Sequence, residues 1–348
     1  MASDNLTMDV TAPVIWAARG GAIAILAALI CVVLIVILRP VLYRYALAKP
    51  NARSSHRTPT PQGGGIAVIA ATIAATAFGL FSLGVPFATP LAAAFAAAVV
   101  MACVGAADDI RPRGVVPRLV LQTLAVAAVV CALPEGLHIV WFLPSWLERL
   151  LLIIAGLWFV NLVNFMDGID WMTAAEILPI SAALVALGCL GTLSRDGIAV
   201  ALALGGAMLG FAYFNRPTAK LFLGDVGSLP IGLLTGWLLV LLAGSGHLTA
   251  ALLLPLYYLA DATLTLLRRL SNGERVWQAH RTHYYQRATD RGFSATEIVA
   301  RVFTINLGLG ALAIATVIAG SLIVNAIALI CGTGLVGWLL YSFTRRRD

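Results

Sequence analysis

Five of the 16 acidic residues stand where apolar runs end, in three separate stretches. Asp108 and Asp109 lie in Gly105-Ala-Ala-Asp-Asp-Ile-Arg-Pro-Arg113, Asp167 and Asp170 in Asn164-Phe-Met-Asp-Gly-Ile-Asp170, and Asp225 in Gly224-Asp-Val-Gly-Ser228. Adjacent carboxylates repel unless a cation sits close by. Arg111, Arg113 and Arg118 follow the Asp-Asp pair and can supply that charge, as can a metal. Carboxylates drawn from several loops are what a Mg²⁺ that keeps water and phosphate ligands requires. Any one Asp reads as well as a helix cap or a solvated loop residue. Five together do not.

Other polar residues extend the pattern. Asn164, Asp167 and Asp170 are three apart and would share a face if a helix ran through them. Gly168 reads instead as a break, with the three polar groups converging from the turn; the bland alternative is a C-cap with Gly168 in the left-handed region. In Asn215-Arg-Pro-Thr-Ala-Lys220-Leu-Phe222-Leu-Gly224, the glycines before and after Asp225 let backbone approach a ligand closely. Ser228 would cap the helix that follows, whose first amides would face a phosphate. Phe222 reads on residue type alone as a lipid anchor, with base stacking as the alternative. His56-Arg57-Thr-Pro59-Thr-Pro61-Gln-Gly63-Gly-Gly65 is an extended, glycine-ended loop. His280-Arg281-Thr-His283 places two imidazoles at i, i+3, but zinc needs three or four ligands and none follows nearby. Both His-Arg segments read better as donors to anionic oxygens. Asp261 stands alone inside an apolar run, which makes it a candidate for function, with a structural partner on another helix as an equal reading.

The elements that hold these residues are membrane helices. Of 348 residues 60% are hydrophobic and only 11% charged, against roughly a quarter charged in a soluble domain. Mean hydropathy is +0.93. Gly20–Leu38, Leu119–Pro134, Leu150–Met166, Ile177–Ser194 and Gly197–Asn215 each fit one crossing, which takes about 20 apolar residues. Thr58–Ala107, Val226–Ala260 and Val302–Thr344 are long enough for two and divide at Gly84-Val85-Pro86, Gly244-Ser245-Gly246 and Gly320. The expected fold is an all-α polytopic membrane protein of about eleven transmembrane helices, a single membrane domain over residues 1–348.

Charge sets the expected orientation. With the N-terminus periplasmic and the C-terminus cytoplasmic, 20 of 23 basic residues fall inside and only Arg19, Arg149 and Arg195 outside. The net charge of +7 then reflects topology, not a nucleic-acid surface. Residues 1–18 hold Asp4 and Asp9 and no basic residue, so no positive leader region stands there. The five cysteines, Cys31, Cys103, Cys131, Cys189 and Cys331, lie inside apolar runs and read as buried small hydrophobes. Cytoplasmic loops at about 39–62, 108–118, 164–175, 215–228 and 268–296 would form the site.

Taken in order, these motifs make the chain resemble the polyprenyl-phosphate N-acetylhexosamine-1-phosphate transferases, bacterial glycosyltransferase family 4. The likeness runs from about His56 to Gly292. It comprises Pro-Thr-Pro-x-Gly-Gly, the Asp-Asp pair with Arg118 and Gln122 downstream, Asn-x-x-Asp-Gly-Ile-Asp, the Asn215–Ser228 stretch and the His-Arg-x-His loop. The resemblance implies transfer of a sugar 1-phosphate from a UDP-N-acetylhexosamine to polyprenyl (undecaprenyl) phosphate, releasing UMP, with Mg²⁺ required and Mn²⁺ as an alternative. It implies Asp225, Asn164 and Asp167 as metal ligands, and Asp108, Asp109, Asp167 and Asp225 as catalytic. Arg118 would bind the lipid phosphate, and Gly168, Asp170 and Phe222 would form the uracil site. His56, Arg57, His280, Arg281 and His283 would hold the sugar diphosphate, with Asn215 and Lys220 also binding substrate. A bacterial inner membrane location and a place at the start of lipopolysaccharide or other cell-surface glycan synthesis follow, and a homodimer stays open. Trp171 stands where the family commonly has Gly, so it is expected to face and narrow the sugar pocket. The last loop lacks the three consecutive histidines of the peptidoglycan branch, which argues against a muramoyl-pentapeptide substrate. The rival reading is a secondary transporter of an anionic sugar or nucleotide, whose site would lie near the bilayer midplane between inverted repeats.

Overall fold

The computed structural model describes residues 12–48, 59–111, 114–275 and 280–346. The His56-Arg57 pair lies outside these residues. The described chain is helical, as a backbone in lipid must be when no water is present to satisfy its amides. Its helices are α1 (Ala12–Tyr45), α2 (Gly65–Ser82), α3 (Thr89–Ile110), α4 (Val115–Cys131), α5 (Ser145–Met166), α6 (Met172–Cys189) and α7 (Arg195–Ala212). They continue with α8 (Asp225–Gly244), α9 (Leu248–Leu253), α10 (Leu256–Ser271), α11 (Tyr284–Asp290), α12 (Ala295–Ala319) and α13 (Leu322–Thr344). Two short strands, β1 (Leu47–Ala48) and β2 (Thr60–Pro61), pair antiparallel and tie the end of α1 to the approach to α2.

Nine of the described helices are long and apolar enough to cross a membrane: α1, α2, α3, α5, α6, α7, α8, α12 and α13. Reaching the eleven expected from sequence would also take the 17-residue α4 and the α9–α10 pair. The paired runs divide where expected, with Gly84, Gly246 and Gly320 all at positive φ. An unexpected break falls between α9 and α10. Pro255 has no N–H to continue the helix and stands as the N-cap of α10.

α8 is buried on nearly every side, packed by α2, α3, α5 and α9. Its apolar character all round is that of a bundle's central helix. α1 and α13 are mostly exposed, and α13 turns Leu322, Ile323 and Ile330 outward. The cysteine expectation is corrected here. Cys31 is buried, but Cys103, Cys131, Cys189 and Cys331 face outward, where a small apolar side chain is equally at ease in lipid.

Connectivity brings the polar motifs to one end of the bundle. α3, α5 and α7 end there, and α4, α6 and α8 begin there. The last crossing ends there too, because Arg291 after α11 donates to the Phe343 carbonyl in the last turn of α13 at 2.7 Å. At the far end, Glu148 accepts the backbone N–H of Ile139 and Val140 at 2.7 and 2.8 Å and pairs with His138 at 2.9 Å. Arg149 beside it bonds the carbonyls of Val130, Leu133 and Pro134, which satisfies the C-terminal end of α4.

Candidate active site

Asp225 opens α8 and sits at the centre. Its Oδ1 accepts from Asn164 Nδ2 at 2.7 Å, and its Oδ2 lies 3.8 Å from Arg118 Nη1. The same Asn164 amide donates to Ser228 Oγ at 2.8 Å, so α5 is tied to the first turn of α8 at two points. Ser228 is therefore not the cap expected from sequence. The cap comes from α3: Asp109 Oδ1 accepts the N–H of Asp225 and Oδ2 that of Val226, both at 3.1 Å. A carboxylate at a helix N-terminus also meets the positive end of the helix dipole.

This junction is packed backbone on backbone. A Cβ on Gly65 would lie 2.1 Å from the Gly227 Cα, so the approach that Gly227 permits is to α2 and not to a ligand. Gly224, at φ +77°, leaves no room for a side chain beside Asp109 Oδ2. The loop before α2 is held in the same place. Phe222 N–H donates to the Pro61 carbonyl at 2.9 Å, Gly64 N–H donates to Phe222 O at 2.9 Å, and Gln62 Nε2 reaches the Asp109 carbonyl at 2.9 Å. Phe222 is half-buried within this strand-like contact.

Asp108, next in sequence to the cap, turns the other way and pairs with Arg118 at 3.0 Å. Asn161 donates to Gln122 Oε1 at 2.9 Å, a buried link between α5 and α4, the helices that carry Asn164 and Arg118.

Asp167 follows the last residue of α5, and its carboxylate accepts from the Thr173 hydroxyl of α6. Burial pushes its carboxyl up to about 7, with the negative charge of Asp225, Asp109 and Asp170 adding to the rise and the Thr173 bond opposing it. Asp170 is buried and accepts the Ala219 N–H at 3.0 Å, joining this turn to the loop before α8. Asn215 accepts from Trp171 N–H at 2.8 Å and donates to the Leu221 carbonyl at 2.9 Å. Its amide is thus engaged in joining the same two segments. Lys220 is exposed.

Two expectations about this turn are corrected. Gly168 is not among the residues with positive φ; what it accommodates is Tyr285, whose hydroxyl oxygen would be 2.0 Å from a Cβ at position 168. The left-handed residue is Trp171, at φ +64°. Its indole donates to the Ala212 carbonyl at 2.6 Å and lines an apolar cavity of about 310 Å³ between α6, α7 and α12. The ring does not narrow the polar cleft.

The arm from His280 to Gln286 closes the other side. His283 is 2% exposed and is the N-cap of α11, and its ring lies 4.9 Å from that of His280. His280 Nδ1 meets the Thr282 hydroxyl at 3.0 Å. Burial, with His283 and Arg269 adding to it, lowers the His280 imidazole to about 4, so it is neutral at pH 7. Arg281 binds Thr289 at 2.9 Å and Asp290 at 3.3 Å. Sequence reasoning missed Thr173 and Tyr285 and left Asp261 undecided. Asp261 is fully buried and accepts from His283, Tyr284 and Tyr285.

The structure thus gathers acids, amides and a guanidinium from α3, α4, α5 and α8 around one helix start. Residues 91–243, from α3 to α8, match glycosyl transferase family 4. The chain is 28% identical over 293 residues to a decaprenyl-phosphate N-acetylglucosaminephosphotransferase of Mycobacterium leprae, covering 74% of this chain and 73% of that one. It is 24% identical over 304 residues to a probable undecaprenyl-phosphate N-acetylglucosaminyl 1-phosphate transferase of Bacillus subtilis, covering 81% of each. It is 31% identical over 221 residues to a phospho-N-acetylmuramoyl-pentapeptide-transferase of a Picosynechococcus species, covering 57% and 58%. The chain is thus similar to glycosyl transferase family 4 across the helices that carry the acid cluster. It is an enzyme, a sugar-phosphate transferase.

The matched span of family 4 contains Asp108, Asp109, Asn164, Asp167, Asp170 and Asp225, while the Gln62 loop and the His280–His283 arm lie to either side of it. Among the described residues no group of three or more His, Cys, Asp or Glu encloses a metal position. A site built on Asp225 and Asp167, with Asn164 beside them, offers one or two carboxylates and an amide. That set fits a hard cation that keeps water and phosphate oxygens as its other ligands, and it does not fit a closed protein cage.

Proposed function

We propose that the chain transfers N-acetylhexosamine 1-phosphate from a UDP-sugar to a polyprenyl phosphate, giving polyprenyl-diphosphate-sugar and UMP. The observation that supports this most strongly is the meeting of Asp225, held by Asn164, with Arg118, paired to Asp108, at the start of α8. Negative donors for a divalent cation and a positive group for a phosphate stand side by side there. Transfer of a phosphoryl group needs this positioning and charge neutralisation more than covalent chemistry.

An oxygen of the lipid phosphate attacks the sugar-linked phosphorus. A new P–O bond forms to the lipid, the P–O bond to UMP breaks, and UMP carries away the electron pair. The second pKa of a phosphate monoester is near 6, so the nucleophile is mostly dianionic at about pH 7 and no proton has to be removed. Asp108 then serves to orient Arg118 against the incoming phosphate. Asp225, with Asp167 and Asn164, would hold Mg²⁺ (or Mn²⁺), which supplies charge neutralisation on the diphosphate. Asp109 is spent on the α8 amides and Asp167 on Thr173, which favours direct attack over an aspartyl-phosphate intermediate. Gly168, Asp170 and Phe222 frame the uracil side, and His280, Arg281 and His283, with His56 and Arg57, the sugar diphosphate.

The basic excess at the site's end of the bundle supports a cytoplasmic site in a bacterial inner membrane, the N-terminus lying on the periplasmic side. N-acetylglucosamine is the first sugar to test, because the Mycobacterium leprae and Bacillus subtilis relatives carry it in their names. Such a product would begin a lipopolysaccharide or other surface-glycan pathway. A transporter would place its polar site near mid-membrane. Membranes carrying the chain, supplied with undecaprenyl phosphate and a panel of UDP-sugars, should release UMP with one or a few of them. Release of UMP with none, from folded protein with Mg²⁺ present, would overturn the proposal.

A further inference from the structure

We propose that Asp261 is a positioning residue that holds the His280–His283 arm at a fixed distance from the Asp167–Asp170 turn, and so sets the width of the sugar-diphosphate cleft. This rests on reading that arm as a diphosphate contact. Asp261 lies in the middle of α10, fully buried, and five donors converge on its carboxylate. Tyr257 and Thr265, one turn to either side on α10, donate from 3.3 Å each and fix the rotamer. The other three donors belong to the arm. His283 Nδ1 lies at 3.3 Å, Tyr284 N–H at 2.9 Å and Tyr285 N–H at 3.2 Å.

A buried carboxylate without such partners would be costly, so the contacts are obligatory for both sides. With Nδ1 turned to Asp261, Nε2 is the ring nitrogen of His283 left for a ligand. The grip extends further. Fixing the start of α11 fixes Tyr285, whose hydroxyl donates to the Phe165 carbonyl at 3.1 Å and fills the space over Gly168. Arg268, two turns along α10 from Asp261, anchors the arm again by donating to the Thr282 carbonyl at 2.6 Å. α10 thus acts as a strut, with Asp261 as its joint to the arm and Tyr285 as the spacer between arm and turn.

The test is a binding cycle on detergent-purified protein with UDP-N-acetylglucosamine as probe and no lipid acceptor. His283→Gln should weaken binding about tenfold, the worth of one hydrogen bond to a charged group. Asp261→Asn should weaken it comparably, and the double variant should be no worse than either, because both changes remove the same placement. In turnover, Asp261→Asn should raise KM for the sugar nucleotide and leave KM for polyprenyl phosphate unchanged. If losses in the double variant multiply, or if folded Asp261→Asn binds the probe normally, the positioning role is overturned. If His283→Gln has no effect, the reading of the arm fails first and the inference with it. Should Asp261→Asn not fold, Tyr285→Phe removes the spacer's bond and leaves the carboxylate in place. It should show the same non-additivity with His283→Gln, and normal probe binding by Tyr285→Phe would overturn the proposal.

Discussion

Asp109 accepts the backbone N–H of Asp225 at 3.1 Å across 116 residues of sequence, and its second oxygen takes the next amide of the same helix. One member of the adjacent acid pair therefore builds the helix start that presents another acid, while Asp108 faces Arg118.

That division predicts different phenotypes for the two neighbours. Asp109→Asn leaves a buried N–H facing an amide N–H, at a cost of about 1–3 kcal/mol. It should lower the transfer rate roughly 10²-fold and raise the Mg²⁺ concentration for half-maximal UMP release, because Asp225 is no longer aimed. Asp108→Asn should instead raise KM for polyprenyl phosphate. A Mg²⁺ titration of both variants checks this. An unchanged Mg²⁺ midpoint in Asp109→Asn would contradict the positioning role.

Gly168→Ala tests the contact between the turn and the arm. The added Cβ would fall 2.0 Å from the Tyr285 hydroxyl, at the end of a rigid ring pinned to Phe165. Activity should fall tenfold or more, on the order of the 1–3 kcal/mol that overpacking costs. Removing the hydroxyl in the Gly168→Ala, Tyr285→Phe double variant should restore part of it, as measured by kcat/KM. No rescue would mean that the glycine is needed for some other reason.

His280 sets a pH dependence. Its imidazole is lowered to about 4 in the folded chain, by burial first, against a usual value near 6.5. Between those values the unfolded chain binds the proton and the folded chain does not, so stability falls as pH drops from about 6.5 toward 4. The contribution is fully present above about pH 6.5. Thermal melting of His280→Asn should show a smaller loss between pH 7 and pH 5 than the parent. An equal loss would show that another group is responsible.

Trp171→Gly should leave the choice among UDP-sugars unchanged, because the indole sits on the apolar cavity and bonds Ala212. The φ of +64° favours glycine, but the lost packing and hydrogen bond should outweigh that relief and lower the melting temperature. Relative kcat/KM over a sugar panel is the readout. A broadened panel would put the ring back in the sugar pocket.

The sequence made the depth of each residue legible and left its direction obscure. Apolar run length located the long helices, and glycine marked the turns at Gly84, Gly246 and Gly320. The convergence of Asp108, Asp167 and Asp225 followed from their places at helix ends. What could not be read was which helix end meets which. The cap that Asp109 gives to α8, the reason for Gly168 and the grip of Asp261 on α11 all depend on side-by-side helix packing. A nearly uniform apolar surface carries no periodic signal for that, as the weak amphipathicity of buried spans implies. Trp171 was misread for the same reason. It directly follows Asp170 in sequence, but its neighbours in space are α7 and α12.

The most direct test of the central claim follows the phosphorus. UDP-N-acetylglucosamine labelled in the sugar-linked phosphate is incubated with the purified chain, undecaprenyl phosphate and Mg²⁺. Sugar-phosphate transfer predicts label in the lipid fraction as a diphosphate, an equal amount of unlabelled UMP, and neither product without the lipid. Label retained in UDP, or in intact UDP-sugar moved across a vesicle, would contradict the account.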